Sequence, residues 1–202
     1  CKNRPAHHVA HNKKSQKKRP RFSRRMIIDD LKELEKQSIE RGIPILGNEK
    51  GFWLYQKVKE TQPKKILELG TANGYSGIIL GSEGAKLTTI EFDKKIAEEA
   101  KQNFKEYHIN ANVVVGGAVE EVRRMAQKEK EVFDMIFIDF SKKSYNAVLD
   151  DCIMLVKKNG MIIADNISFE GCQDFKQRVL NNLQLKTEII FIKDGLSCSR
   201  KK

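Results

Sequence analysis

Two rhythms of apolar positions alternate along residues 26–202. Ile27, Ile28, Leu31 and Leu34 recur at helical spacing among acids and lysines, which predicts an amphipathic helix over 27–41, ended by Gly42 and Pro44. A second helix is expected over about 50–60, closed by Pro63. Short apolar runs then predict strands at 65–69, 87–92, 112–115, 134–139, 160–165, 187–192 and 196–200. Helical stretches fall between them near 76–82, 94–106, 118–130, 144–157 and 172–182. The early strands are almost continuously apolar, as expected where helices cover both faces of a parallel sheet. Only Lys193-Asp194-Gly195 separates the last two strands, so they form an antiparallel hairpin. The expected fold is α/β: a Rossmann-like, seven-stranded, mostly parallel doubly wound sheet with a C-terminal antiparallel hairpin.

Composition changes this picture only at the N-terminus. The chain has 202 residues and a net charge of +11, but residues 1–25 hold ten Lys/Arg and no acid. The other 177 residues therefore carry 28 basic against 27 acidic side chains, a net of +1. Residues 1–25 read as a basic, disordered tail and 26–202 as one domain. The tail is either a nucleic-acid-binding arm or a solvated or extraneous segment ahead of Met26; its His7, His8 and His11 could at most hold a metal loosely. No apolar stretch reaches the ~18 residues of a membrane span. No charged-then-apolar leader is visible, and the four cysteines form no C-x-x-C pair, so a reducing cytoplasm is expected.

Candidate chemistry gathers at the carboxyl ends of the expected strands. The first ends in Glu68-Leu69-Gly70-Thr71-Ala72-Asn73-Gly74-Tyr75-Ser76. Glycines at such a turn let backbone approach a ligand. The G-x-x-x-G spacing lacks the dinucleotide grip G-x-G-x-x-G, and an acid before the first glycine suits an ammonium group better than a pyrophosphate. Glu91 ends the second strand, where an acid can take both hydroxyls of a ribose. Gly116-Gly117-Ala118 follows the third and leaves room for a flat base. The ligand reads as a nucleoside joined to an amino acid, S-adenosylmethionine. The fourth and fifth strands end in Asp139 and in Asp165-Asn166, a hard oxygen set suited to Mg²⁺ foremost, or Mn²⁺ or Ca²⁺, against the bland alternative of turn-forming residues. Lys142, three residues beyond Asp139, is either a base in that site or a solvated charge.

These motifs together, Glu-Leu-Gly-x-x-x-Gly-Tyr-Ser, Ile-Glu-Phe-Asp, Phe-Ile-Asp-x-x-Lys-x-x-Tyr, Asp-Asn-x-x-x-x-Gly and Asp-Gly-Leu-x-x-x-Arg-Lys, resemble the metal-dependent catechol and caffeoyl-CoA type O-methyltransferases over residues 42–202. The resemblance implies that Glu68, Gly70, Gly74, Ser76, Glu91, Gly117, Ala118 and Asp139 form the S-adenosylmethionine site. It implies that Asp139, Asp165 and Asn166 hold a divalent metal, and that Lys142 is the general base. Gly47-Asn48-Glu49-Lys50-Gly51 resembles the family segment that closes over the methionine end. Ser141 stands where caffeoyl-CoA members commonly have a second Asp, the chain is short after Gly171, and its helical cap before Gly42 is short. Both shortenings predict an open acceptor pocket.

The acceptor expected from the family is a hydroxyl on a small catechol-like phenol. An alternative is a tRNA wobble 5-hydroxyuridine, which an open pocket would admit. A third reading is a non-catalytic RNA-binding module on the same fold, against which stands the joint presence of Asp139, Lys142, Asp165 and Asn166. Cys152, Cys172 and Cys198 read as packing residues, His108 as a loop residue without a role, and Phe52-Trp53-Tyr55 as helix packing with a share in a homodimer as the alternative. No Ser-His-Asp or zinc spacing occurs.

Overall fold

The computed structural model describes residues 26–202. The expected basic tail, with Cys1 and its three histidines, lies outside the described residues. Seven strands form one sheet: β1 (Lys65–Leu69), β2 (Lys86–Glu91), β3 (Ala111–Val115), β4 (Phe133–Ile138), β5 (Val156–Asp165), β6 (Leu185–Ile190) and β7 (Leu196–Lys201). Their order is β3-β2-β1-β4-β5-β7-β6. β1 to β5 pair in parallel, and β7 runs antiparallel to both β5 and β6. The helices are α1 (Ile27–Asp30), α2 (Lys32–Glu40), α3 (Asn48–Thr61), α4 (Tyr75–Gly81), α5 (Lys94–Glu106), α6 (Ala118–Lys128), α7 (Tyr145–Leu155) and α8 (Gln173–Asn181). None of these is long and apolar enough to cross a membrane.

Strict alternation along the central strands divides the core in two. Leu67, Leu69, Ile136, Ile138, Ile162 and Ala164 face α6, α7 and α8, packing on Val122, Val148, Leu149 and Phe175. Ile66, Met135, Phe137, Met161 and Ile163 face the other side, where Leu34, Leu54, Val58, Ile78 and Phe104 cover them. A sheet buried on both faces explains why these strands read as unbroken apolar runs.

The expected elements are all present, with shifted ends. The helix expected over 27–41 is interrupted at Leu31, whose ψ of −3° opens the ladder for one residue. β2 stops at Glu91 and leaves Phe92 82% exposed, because the Glu91 carboxylate accepts the Asp93 amide and turns the chain. β5 begins at Val156 rather than 160. Val156 pairs with Phe133 and Met161 with Met135, so residues 157–160 bulge out, with Asn159 at φ +64°. β6 lies two residues earlier than expected, since Leu185 pairs with Lys201 and Ile190 with Leu196, leaving Phe191 outside the ladder.

Candidate functional site

The strand order reverses between β1 and β4, and a crevice outside the carboxyl ends of the strands is the expected ligand position in such a sheet. A cavity of about 440 Å³ lies there, within the usual range for a small-molecule site. Gly70 and Ala72 line it after β1, Ile90, Glu91 and Phe92 at β2, Gly116 and Ala118 after β3, and Asp139, Phe140, Ser141 and Lys142 after β4, with Pro44 above.

The loop after β1 is folded tightly. Gly70 (φ +96°) gives its amide to the Ile90 carbonyl, and a Cβ there would run into the carbonyl of Asp139. Glu91 accepts the amides of Ala72 through Oε2 and of Asp93 through Oε1, both at 2.9 Å, which fixes its carboxylate at the cavity wall. Glu68 is wholly buried beneath the loop. Its Oε1 accepts from Ser76 Oγ at 2.6 Å and its Oε2 from Thr89 Oγ1 at 2.7 Å, and burial pushes its carboxyl up to about 8 against those two bonds. Ser76 is spoken for by Glu68, while Gly74 packs on Phe104. Of the sequence-selected cofactor residues, Gly70, Glu91, Ala118 and Asp139 line the cavity; Glu68, Gly74 and Ser76 support it from below. Gly116 rather than its neighbour Gly117 reaches the wall; a Cβ on Gly117 would meet the Glu120 carboxylate.

Beside this cavity the parallel register pairs Ile138 with Ala164, so Asp139 and Asp165 follow on neighbouring strands and Asn166 comes next. Lys142 Nζ lies 2.5 Å from Asp139 Oδ1 and 5.5 Å from the ring centre of Tyr145. Asp165 is 2% exposed, and its carboxyl is pushed up to about 6 by burial and by the nearby Asp139 charge. Its Oδ1 accepts from Lys50 Nζ at 2.5 Å and from the Asn166 amide at 2.7 Å. Asn166, in the left-handed region at φ +55°, donates from Nδ2 to Asp194 Oδ2 at 2.6 Å.

The residues fit a divalent cation on the chemistry of what is left over. Every hydrogen bond made by the two carboxylates falls on one oxygen, Asp139 Oδ1 or Asp165 Oδ1, and the nitrogen end of Asn166 is held by Asp194. Asp139 Oδ2, Asp165 Oδ2 and Asn166 Oδ1 remain as three hard donors. Among the described residues no three His, Cys, Asp or Glu side chains gather to hold a metal, so a cation here depends on the amide oxygen as its third protein donor.

Two members of the site, Lys50 and Asp194, entered the sequence reading only as parts of the Gly47–Gly51 segment and of the hairpin turn, without a role beside the oxygen set. Lys50 is the one buried lysine or arginine among the described residues, paired with both Asp165 and Asp194. Burial works to lower its pKa, yet the two carboxylates raise it above the usual lysine value. Burial likewise opposes ionisation of Asp194, but the bonds from Lys50 and Asn166 hold it below the usual carboxylate range. One signal for Lys50 was present: Lys50, Leu54 and Val58 share an i, i+4, i+8 stripe, which puts the lysine on the buried face of α3. Cys152, Cys172 and Cys198 are buried free thiols, each pushed up by burial. His108 sits exposed after α5, at φ +56°.

Comparison with known proteins gives the chain a family. A family described as O-methyltransferase matches residues 22–201. Catechol O-methyltransferase B of Danio rerio is 34% identical over 151 residues, 70% of this chain and 57% of that protein. The catechol O-methyltransferase of Niastella koreensis is 31% identical over 139 residues, 65% of this chain and 63% of that protein. The chain thus spans less than two thirds of the length of these curated relatives. Among solved structures, the O-methyltransferase TomG of Streptomyces achromogenes, in complex with SAM, superposes with a TM-score of 0.77 over 85% of this chain and 89% of its own, at 21% identity. The O-methyltransferase of Bacillus cereus, in complex with SAH, gives 0.76 over 87% and 90%, also at 21% identity. At that identity the two neighbours speak for the fold.

Proposed function

The chain belongs to the O-methyltransferase family, and from that premise we propose that it transfers a methyl group from S-adenosylmethionine to a hydroxyl of a small, catechol-like phenol with the help of a divalent cation. The observation that carries the reading is the meeting of two site types at one sheet edge: a cavity walled by Gly70, Glu91 and Ala118 shares Asp139 with the oxygen set of Asp165 and Asn166. The names of the relatives, catechol O-methyltransferases, support the acceptor class. The SAM and SAH complexes of TomG and the Bacillus cereus enzyme support the cofactor.

In this mechanism Glu91, already held by two backbone amides, takes the ribose hydroxyls through its remaining lone pairs. Gly70 admits the amino-acid end close to backbone, and Ala118 leaves space for the adenine. Asp139, Asp165 and Asn166 would hold the cation, magnesium foremost, which supplies charge that acidifies a bound hydroxyl. Lys142 Nζ, after parting from Asp139 and releasing an ammonium proton to solvent, takes the hydroxyl proton as a neutral amine. The acceptor oxygen then attacks the sulfonium methyl carbon in line; a C–O bond forms, the C–S bond breaks, and the sulfur leaves as a neutral thioether. Fixed positions and neutralised charge supply most of the rate.

A second reading, methylation of a tRNA wobble 5-hydroxyuridine, is favoured by the ten basic residues of segment 1–25. Methyl transfer from labelled S-adenosylmethionine separates the two. Catechol should be labelled and the label should vanish with chelator. Labelling of total tRNA but not of catechol would move the acceptor to RNA, and no labelling of either would return the fold to a non-catalytic role.

A further inference from the structure

We infer that Lys50 is a positioning residue for the divalent cation, fixing two of its three protein donors from behind. The inference rests on the metal-dependent reading above and adds to it a residue outside the proposed ligand set. Lys50 lies in the first turn of α3, above Leu54 and Val58, both wholly buried, so its stem is packed and its ammonium cannot swing to solvent. From there Nζ holds Asp165 by Oδ1 alone, which leaves Oδ2 free of hydrogen bonds. The same ammonium pairs with Asp194 Oδ1, and Asp194 Oδ2 takes the Asn166 amide nitrogen. That last bond sets which end of the amide is nitrogen and leaves its oxygen free of hydrogen bonds, as Asp165 Oδ2 is. Lys50 therefore reaches one donor directly and a second through Asp194. The contact is backed by a neighbouring one: Lys193 Nζ stands 3.7 Å from Glu49 Oε1, so the hairpin between β6 and β7 is fastened to the start of α3 at two adjacent positions.

A simple charge effect would have the opposite sign. Asp139, Asp165 and Asp194 face Lys50 and Lys142, a net of one negative charge. If Lys50 were only a nearby positive charge, removing it would deepen that negative field and tighten a cation. If it orients donors, removing it loosens the cation.

Mn²⁺ titration followed by the electron paramagnetic resonance of the free ion reads this directly, on the full chain without cofactor or acceptor. Lys50→Met should weaken Mn²⁺ binding by about 10- to 100-fold, the usual effect of losing an outer-shell partner. Its near-UV circular dichroism should match that of wild type, which general loosening of the fold would not permit. Because Lys50→Met strands the buried Asp165 and the part-buried Asp194 carboxylates, Lys50→Met/Asp194→Leu serves as a second variant that leaves one of them unpaired rather than two. Its Mn²⁺ loss should match that of Lys50→Met rather than multiply with that of Asp194→Leu, since both act through one link. Mn²⁺ bound as tightly or more tightly by Lys50→Met, or by the double variant if the single one does not fold, would overturn the inference alone. A wild-type chain that binds no Mn²⁺ would overturn both this inference and the metal-dependent reading.

Discussion

Glu68 and Lys142 bear opposite relations to solvent, and each yields a separate measurement. Glu68 is fully buried, with its carboxyl raised from 4.5 to about 8, first by burial and then by the charges of Asp139 and Glu91. A carboxyl raised in the folded state is favoured there as the neutral acid. Between its unfolded and folded values the native chain binds the extra proton, so the folded state loses stability as pH rises from about 4.5 to 8. Glu68→Gln removes that proton exchange while keeping a side chain that can hydrogen-bond Ser76 and Thr89. Its melting temperature relative to wild type should therefore climb steadily from pH 5 to pH 8; a gap independent of pH would mean Glu68 ionises freely. Lys142 is part-buried and reaches Asp139 at the cavity wall. Lys142→Met should lower kcat by about 10²–10⁴, the range for loss of a general base, with cofactor affinity nearly unchanged. Full turnover by Lys142→Met near neutral pH would remove the residue from the chemistry.

Among the elements, the loop between β1 and α4 is where conformation and function are joined most tightly. Gly70→Ala puts a side chain at φ +96° against the Asp139 carbonyl, which costs on the order of 1–3 kcal/mol in the backbone alone. The variant should unfold at lower urea and bind labelled S-adenosylmethionine at least tenfold more weakly. An unchanged midpoint with unchanged binding would mean that β4 can retreat from the loop. This loop was legible in the sequence because its signals are local: an apolar strand, glycines, then a helix. The central strands were legible for the same reason, their residues alternating between two apolar faces. Ends fixed by distant partners were less so. The residue 157–160 bulge follows from pairing β5 with β4, and the early start of β6 from pairing with β7. Neither register is written in its own strand.

Over the whole molecule the same division separates what the sequence disclosed of the site. Asp139, Asp165 and Asn166 follow apolar runs and could be selected one strand at a time, whereas Lys50 and Asp194 meet across 144 positions of sequence, at a junction only the folded chain creates. Charge is divided as sharply as contact. Residues 26–202 carry a net of +1 and contain every group of the proposed site, while ten basic residues stand in 1–25. A small phenol recognised by Asp139, Asp165, Asn166 and Lys142 needs none of those ten. A polyanion would use them, and its affinity would fall steeply with salt as counterions compete for the phosphates. A chain beginning at Met26 should thus methylate catechol within about twofold of the full chain at both 50 and 200 mM NaCl. The full chain alone should retain tRNA on a filter at 50 mM NaCl and lose ~10³-fold or more of that affinity by 200 mM. If the shortened chain keeps tRNA with the same salt slope, the phosphate-binding surface lies within 26–202, and the cavity wall at Ser141 and Lys142 becomes the place to seek an RNA acceptor.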